Sequence, residues 1–188
     1  FGVPFDASFN ADERNASMNI LYLYQGGLTL GQKEYYLDTD KATVDIREAY
    51  KKHLIKMFQL FGFNAAQAKA KGEAVLRFET ALAKFSKSST ELRDVEANYN
   101  KMTLAQFKAK YPNLPVEALL NAEGIKSAYF QTLVVGQPAF FAGLNKLVTT
   151  WNLADRKAYM QWSVINSSTG YLSSVVEAEH FDFFGKTM

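Results

Sequence analysis

The chain has 188 residues, which is enough for one domain with a hydrophobic core, and we predict a single domain over residues 1–188. Its net charge of +2 comes without a basic run, which argues against a nucleic-acid-binding protein, and no apolar run reaches the roughly 20 residues of a membrane span. The absence of cysteine excludes a disulfide framework and a thiolate site in these residues.

The N-terminal segment is predicted to form a β-hairpin. Residues 1–5 are typical of a short strand, and residues 6–17 are polar enough to be a loop. Residues 18–24 alternate between two sets of large side chains, so this second strand is expected to be at least half covered on both faces. The glycine pair that follows ends the strand, and an irregular segment leads to the first helix.

Two long helices come next and show the strongest helical pattern in the chain. The first is expected to begin at Thr39 or Asp40, either of which can cap it, and to run to Phe61. Gly62 supplies a stop, and the second helix is expected over residues 64–87, capped by the asparagine at its start. Because so short a connection brings the helices side by side, we predict an antiparallel helical hairpin. The apolar positions of the second helix are Ala68, Val75, Phe78, Leu82 and Phe85.

Two capping boxes mark shorter helices in the middle of the chain. The box Ser88-x-x-Glu91 predicts a third helix that frays near Tyr99. The box Thr103-x-x-Gln106 predicts a short helix over Leu104–Lys110.

The last third of the chain is predicted to be mostly helical. Pro115 suits the first turn of a short helix, and residues 128–135 are expected to form a strand that can join the N-terminal hairpin. Pro138 opens a further helix, Asn152 caps a last long one, and Gly170 with its polar neighbours predicts a bend or break. The sequence therefore predicts a mainly α fold built on the antiparallel helical hairpin, with a small β-sheet near the N-terminus.

Three aromatic residues crowd the end of the sequence, at Phe181, Phe183 and Phe184. The chain also opens without methionine, so one interpretation is an excised piece whose aromatics packed on further polypeptide. The alternative is that these side chains fold back on this domain.

Candidate metal ligands are scarce. The chain has two histidines, His53 and His180, and neither lies in a His-Glu-x-x-His pattern. Glu177-x-x-His180 has the spacing that places two ligands on one helix face in di-iron bundles, but that architecture needs two such motifs. We therefore predict no metal site in this chain, and a partly buried His53 with one hydrogen-bond partner.

Several motifs carry a family resemblance. Tyr24-Gln25-Gly26-Gly27-Leu28 and Glu34-Tyr35-Tyr36-Leu37 resemble the Gln-x-Gly-Leu-x-Leu-Pro-x-Arg-Asp-Tyr-Tyr stretch of the neprilysin family of zinc endopeptidases. Leu76-x-x-Glu79-x-x-Leu82-Ala83, Tyr99-Asn100-Lys101-Met102-Thr103-Leu104 and Phe183-Phe184-Gly185 resemble later landmarks in the same order. One departure is Gly31-Gln32-Lys33, where the family usually has Pro-x-Arg. The motif residues, to which we assign a structural role, are Gln25, Gly27, Leu28, Tyr35, Tyr36, Arg93, Tyr99, Asn100, Met102 and Trp162.

The resemblance implies a two-lobed, mostly helical enzyme in which this chain is part of the lid. The other lobe would carry His-Glu-x-x-His and bind zinc beyond Met188, so no catalytic residue and no zinc ligand is carried over to this chain. The implied activity is hydrolysis of peptides on the amino side of hydrophobic residues, with zinc polarising the carbonyl. The implied partners are peptide substrates and the missing catalytic lobe.

The resemblance also bears on the source and the location of the protein. The lack of cysteine suggests a bacterial member of the family, and the family implies an extracytoplasmic protein that is periplasmic, secreted or anchored to the envelope. A function of another class remains open, in which the chain is a self-standing helical binding or scaffold module without enzymatic activity. A continuation of about 300 residues containing His-Glu-x-x-His would favour the peptidase.

Overall fold

A computed structural model describes residues 4–188, which form two compact units. The helical unit comprises Leu28–Lys84 and Trp151–Met188, and the sheet unit comprises Pro4–Gly27 and Phe85–Thr150. The single domain over residues 1–188 stays a prediction. Residues 1–3, where the first predicted strand begins, lie outside the described part of the chain.

Helices dominate the described residues, and four strands form a small sheet, so the predicted fold class is confirmed. The strands are β1 (Phe5–Asp12), β2 (Asn15–Gln25), β3 (Asn100–Thr103) and β4 (Thr132–Val135). The helices are α1 (Glu34–Leu37), α2 (Lys41–Leu60), α3 (Ala65–Ala83), α4 (Leu104–Lys110), α5 (Val116–Ala122), α6 (Pro138–Thr150), α7 (Leu153–Ser168) and α8 (Ser174–Phe184). No helix within residues 4–188 combines the length and the apolar character needed to cross a membrane.

The sheet has the strand order β1-β2-β4-β3. β2 pairs antiparallel with β1 and parallel with β4, which confirms that the later strand joins the N-terminal hairpin. Ile20, Leu21, Tyr22 and Leu23 are all buried, so both faces of β2 are covered over these four residues, whereas residues 15–19 are exposed.

The polar loop predicted for residues 6–17 is wrong, because β1 runs from Phe5 to Asp12. A strand at the sheet edge tolerates polar side chains, and pairing with β2 outweighs the low local propensity. The hairpin turn is short, because only Glu13 and Arg14 separate the two strands. The Asp12 carboxylate accepts a hydrogen bond from the backbone N–H of Arg14 at 3.0 Å, which stabilises this turn.

The third predicted helix is also wrong. Ser88 and Glu91 exchange the hydrogen bonds of a capping box, but only a 3-10 turn follows, over Glu91–Arg93. The Asn98 side-chain amide donates to the carbonyl oxygens of Glu91 and Asp94, which gives these groups partners outside a helix.

Two strand predictions need correction as well. Residues 128–135 are only partly extended, because a 3-10 turn over Ser127–Tyr129 precedes β4. β3 has no counterpart among the predicted strands, because its four residues are too few for an alternating pattern to be visible.

The helical unit is built on the predicted hairpin of α2 and α3. Asp40 caps α2, Gly62 turns the chain with φ +86°, and Asn64 forms a capping box with Gln67. The order of contacts shows that the helices are antiparallel: Tyr50 near the middle of α2 bonds Glu79 late in α3, whereas Phe58 at the end of α2 lies under Lys71.

The two helices approach closely at Gly72. A Cβ atom placed there would lie 3.0 Å from Cγ1 of Ile55, so a larger residue would push the hairpin apart. The break predicted near Gly170 is confirmed, since α7 ends at Ser168 and a 3-10 turn leads to α8.

Candidate functional site

Glu79 occupies the centre of the helical unit and is fully buried on α3. Its Oε1 accepts a hydrogen bond from the Thr29 hydroxyl at 2.6 Å. Its Oε2 accepts from the hydroxyls of Tyr36 at 2.8 Å and Tyr50 at 2.9 Å. The Trp162 indole N–H donates to the Thr29 hydroxyl at 2.9 Å, so one network joins α1, α2, α3, α7 and the segment after β2. We call these five residues the Glu79 network.

Burial dominates the electrostatics of this network. It raises the pKa of Glu79 to about 7, although the three hydroxyl donors favour the carboxylate. Burial and the neighbouring Glu79 carboxylate raise the pKa of Tyr36 and Tyr50 well above the usual value. Because both carboxylate oxygens are occupied and no solvent reaches them, Glu79 holds helices together and has no access to a substrate proton.

Part of this network is predictable from the sequence. Tyr36 and Trp162 are among the motif residues, and Glu79 lies within the Leu76-x-x-Glu79-x-x-Leu82-Ala83 motif. Thr29 and Tyr50 lie outside the predicted motif residues. A usable signal exists, because Glu79 falls on the buried stripe of α3 between Val75 and Leu82, where a charged residue needs several hydrogen-bond partners. The remaining motif residues of this unit, Leu28 and Tyr35, are partly buried against its core.

Gln25 organises a second set of contacts, in the sheet unit. Its side chain exchanges two hydrogen bonds with the backbone of Lys87, at 3.0 and 2.7 Å. Its backbone N–H donates to Gln137 at 2.8 Å, and the Gln137 amide donates to Asn98 at 3.0 Å. Gly27 then turns the chain with φ +78°. These motif residues therefore fix backbone segments in place.

Asp12 anchors a polar cluster at the far end of the hairpin. Its carboxylate accepts hydrogen bonds from Lys101 Nζ and from the Tyr99 hydroxyl, each at 2.6 Å. The hydrogen bond from Lys101, with that from Tyr99 next, lowers the pKa of Asp12 to about 2. The Asn100 amide donates to the Ala97 carbonyl at 3.1 Å. Two further motif residues belong to the sheet unit: Met102 lies in β3, and Arg93 lies in an exposed 3-10 turn.

His53 is buried on α2, and its hydrogen-bond partner is Glu179, with 3.1 Å between Nδ1 and Oε1. Its ring stacks on Phe183 at a centroid distance of 4.9 Å and lies 6.1 Å from the His180 ring. Burial lowers the pKa of both histidines, and for His53 it outweighs the opposing effect of Glu179. Glu177, the acidic residue of the Glu177-x-x-His180 spacing, is exposed.

These residues do not fit a zinc ion. Among residues 4–188, no three histidine, cysteine, aspartate or glutamate side chains converge in a way that would hold a metal. Nε2 of His53 has no hydrogen-bond partner among the described residues, and apart from Glu179 at Nδ1 the ring is surrounded by aromatic side chains, including Trp162 and Phe184.

The terminal aromatics separate into two groups. Phe183 is buried and packs against Tyr50 and His53, and Phe184 is partly buried beside His180. Phe181, in contrast, is 59% exposed. Phe183 and Phe184 therefore fold back on this domain. Of the three aromatics, Phe181 is the one whose side chain is largely exposed.

The whole chain is similar in sequence to a group of peptidases. An endothelin-converting enzyme homolog from Locusta migratoria is 30% identical over 92% of this chain and 25% of the relative. Neprilysin-2 from Drosophila melanogaster is 32% identical over 89% of this chain and 22% of the relative. A neutral endopeptidase from Lactobacillus helveticus is 27% identical over 97% of this chain and 28% of the relative. The chain thus spans about a quarter of the length of these relatives.

Solved structures share the fold. The zinc metalloprotease Zmp1 of Mycobacterium tuberculosis, in its open state, superposes with a TM-score of 0.93 at 24% identity over 99% of this chain and 29% of that chain. PepO from Lactobacillus rhamnosis HN001 gives a TM-score of 0.78 at 20% identity over 97% of this chain and 29% of that chain. The sequence profile of peptidase family M13 matches residues 1–188. The chain therefore belongs to peptidase family M13, and the resemblance to the neprilysin family is confirmed.

Proposed function

We propose that residues 1–188 form a non-catalytic part of the lid lobe of a zinc metalloendopeptidase, which restricts the access of peptides to an active-site chamber. The observation that carries this proposal is the family match over the entire chain, together with its span of about a quarter of its relatives. Zinc and the catalytic residues would belong to the remaining polypeptide.

The contacts in the helical unit support a rigid lid. The Glu79 network ties four helices to the segment after β2 through buried hydrogen bonds, which favour a single arrangement of the helices. A lid excludes large substrates only if its own helices do not separate. The polar groups of the network are used for this cohesion, and none is available to a peptide.

The parent protein would act on peptides, and its other lobe would be the main partner of this chain. Closure of a helical lid over the zinc lobe would confine a flexible peptide near the metal and turn away folded proteins. We further propose that residues 1–188 belong to one lobe, that the protein is bacterial, and that it acts outside the cytoplasm.

The proposal that zinc binds outside residues 1–188 is tested with the full-length protein, by removing the Glu-x-x-His motif of this chain. The double variant Glu177→Gln/His180→Asn is expected to bind as much zinc per chain as the wild type and to keep its kcat/KM on a short peptide. Glu177 is exposed, whereas the His180 ring is partly buried and lies 4.5 Å from the Phe184 ring, so circular dichroism first establishes that the variant is folded. Metal analysis and peptide kinetics give the answer, and a folded variant that has lost its zinc would contradict the proposal.

A further inference from the structure

Two histidine rings lie between helices α2 and α8. His53 of α2 is buried, and its ring stacks on that of Phe183 in α8 at a centroid distance of 4.9 Å. The His180 ring of α8 lies 6.1 Å from the His53 ring and 4.5 Å from that of Phe184. All four residues belong to the helical unit. We call this packing the His53–His180 contact, and it is part of what holds α8 on α2.

Each of these histidines has one buried ring nitrogen with no hydrogen-bond partner in the described part of the chain, Nε2 of His53 and Nδ1 of His180. A neutral imidazole has one N–H donor, whereas in the cation both ring nitrogens are donors. Protonation therefore leaves a buried donor without an acceptor on each positively charged ring. Because burying an unpaired charge is unfavourable, the His53–His180 contact favours neutral rings.

Burial also outweighs the charges around the two rings. It lowers the pKa of both His53 and His180. Glu179 of α8, whose Oε1 lies 3.1 Å from Nδ1 of His53, favours the cation, whereas a protonated His180 opposes it. From α7, His53 meets the uncharged indole ring of Trp162. The further charged side chains nearby are exposed on α2 and α8 or just after α8, at Lys56, Glu177, Asp182 and Lys186.

We propose that the His53–His180 contact is a pH-sensitive switch, which holds α8 on α2 while both rings are neutral and releases the helix when they are protonated. Release exposes Phe183 and Phe184. Because folding lowers the pKa of both histidines, their contribution to docking is complete above the usual pKa of 6.5 and is lost as the pH falls below it. The switch goes beyond the proposed function and does not depend on it, since it lies within the helical unit.

Hydrogen–deuterium exchange of the full-length wild-type protein, read by mass spectrometry, tests the switch one helix at a time. Exchange is compared at about pH 7.5 and about pH 5.5, where most exposed imidazoles are protonated, and is corrected for its intrinsic pH dependence. Protection of α8 should fall by at least about tenfold at the lower pH. Helix α3 is the internal control and should keep its protection, because its Glu79 stabilises the folded state more at the lower pH. Unchanged protection of α8, or an equal loss in both helices, would overturn the inference.

Two variants of the full-length protein assign the effect to the histidines. The double variant His53→Phe/His180→Phe keeps two aromatic rings that do not titrate, so its α8 should be equally protected at both pH values. A loss as large as that of the wild type would contradict the switch.

Glu179→Gln decides the matter if the double variant does not fold. The amide oxygen of glutamine can still accept a hydrogen bond from Nδ1 of neutral His53, so α8 should stay docked at about pH 7.5. Without the carboxylate, protonation of His53 is less favourable in the docked state, and the loss of protection at about pH 5.5 should exceed that of the wild type. An equal or smaller loss would refute the role of these rings.

Discussion

At the scale of single residues, Glu79 decides how the helical unit responds to pH. Its side chain is fully buried and receives hydrogen bonds from Thr29, Tyr36 and Tyr50. Hydrogen bonds stabilise the ionised form, but burial opposes ionisation more strongly, so the pKa of Glu79 rises from 4.5 to about 7. A carboxyl group whose pKa is raised by folding stabilises the folded state only while it stays protonated.

We predict that Glu79→Gln removes a pH dependence of stability. Below pH 4.5 the carboxyl is protonated in both states and its contribution is complete; as the pH rises through about 7, the unfolded chain ionises first and the contribution is lost. The free energy of unfolding of the wild type, relative to the glutamine variant, should fall by about 3 kcal/mol over this range. Urea unfolding of both proteins across the range measures the difference. His53 and His180 are common to both proteins, so their titration cancels; parallel stability curves would show that Glu79 titrates normally.

Phe78 provides a second prediction at this scale. It is almost fully buried on α3, and its ring lies 4.4 Å from the ring of Tyr159 and 5.6 Å from that of Trp151. Phe78→Ala should reduce the free energy of unfolding by about 3 to 5 kcal/mol, because the cavity cannot close completely. Tyr171→Ala is the control, since Tyr171 is 91% exposed and its loss should change stability by less than about 0.5 kcal/mol. Denaturant unfolding followed by circular dichroism measures the free energy of unfolding of both variants. Similar losses in the two variants would show that Phe78 is not part of the core.

At the scale of elements, most helix caps were predictable from local sequence, whereas several contacts between distant segments were not. The bounds of α2 and α4 follow from caps at Asp40 and Thr103, which act within one turn. β1 was missed because its polar residues form a strand only by pairing with β2, and a helix from Ser88 was wrong because one capping box cannot maintain it. Of the candidate site, the family motifs were found, whereas the partners Thr29 and Asp12 depend on contacts distant in sequence.

The turn of the helical hairpin yields the prediction at this scale. Gly62 has φ +86° and open space around it, so Gly62→Ala meets no neighbour but places a Cβ in a left-handed conformation. The expected cost is about 1 to 2 kcal/mol of unfolding free energy. Gly170→Ala is the matched control, because Gly170 also faces open space but has no positive φ. Thermal and urea unfolding should show the loss of stability in Gly62→Ala only. An equal effect of the two changes would mean that the positive φ of Gly62 is not the cause of the loss.

At the scale of the whole molecule, we propose that the chain has a structural part in a longer peptidase. The buried carboxylate of Glu79 accepts hydrogen bonds from tyrosine hydroxyls of its own unit, the rings of His53 and His180 lie beside phenylalanine rings, and the described residues present no three-ligand metal cluster. The family match covers every residue, yet the chain is about a quarter of its relatives. We therefore expect its effect on peptide hydrolysis to appear in which substrates reach the active site.

The most direct measurement compares one cleavage sequence in three settings, using the full-length protein. The sequence is supplied as a free peptide, in an exposed loop of a folded host protein, and in the same host unfolded by a destabilising mutation. A protease with an open cleft serves as the control that the loop is cleavable in the folded host. We predict a high kcat/KM for the free peptide, cleavage near background for the folded host, and recovery when the host is unfolded. An equal kcat/KM for the free peptide and the folded host would contradict the lid.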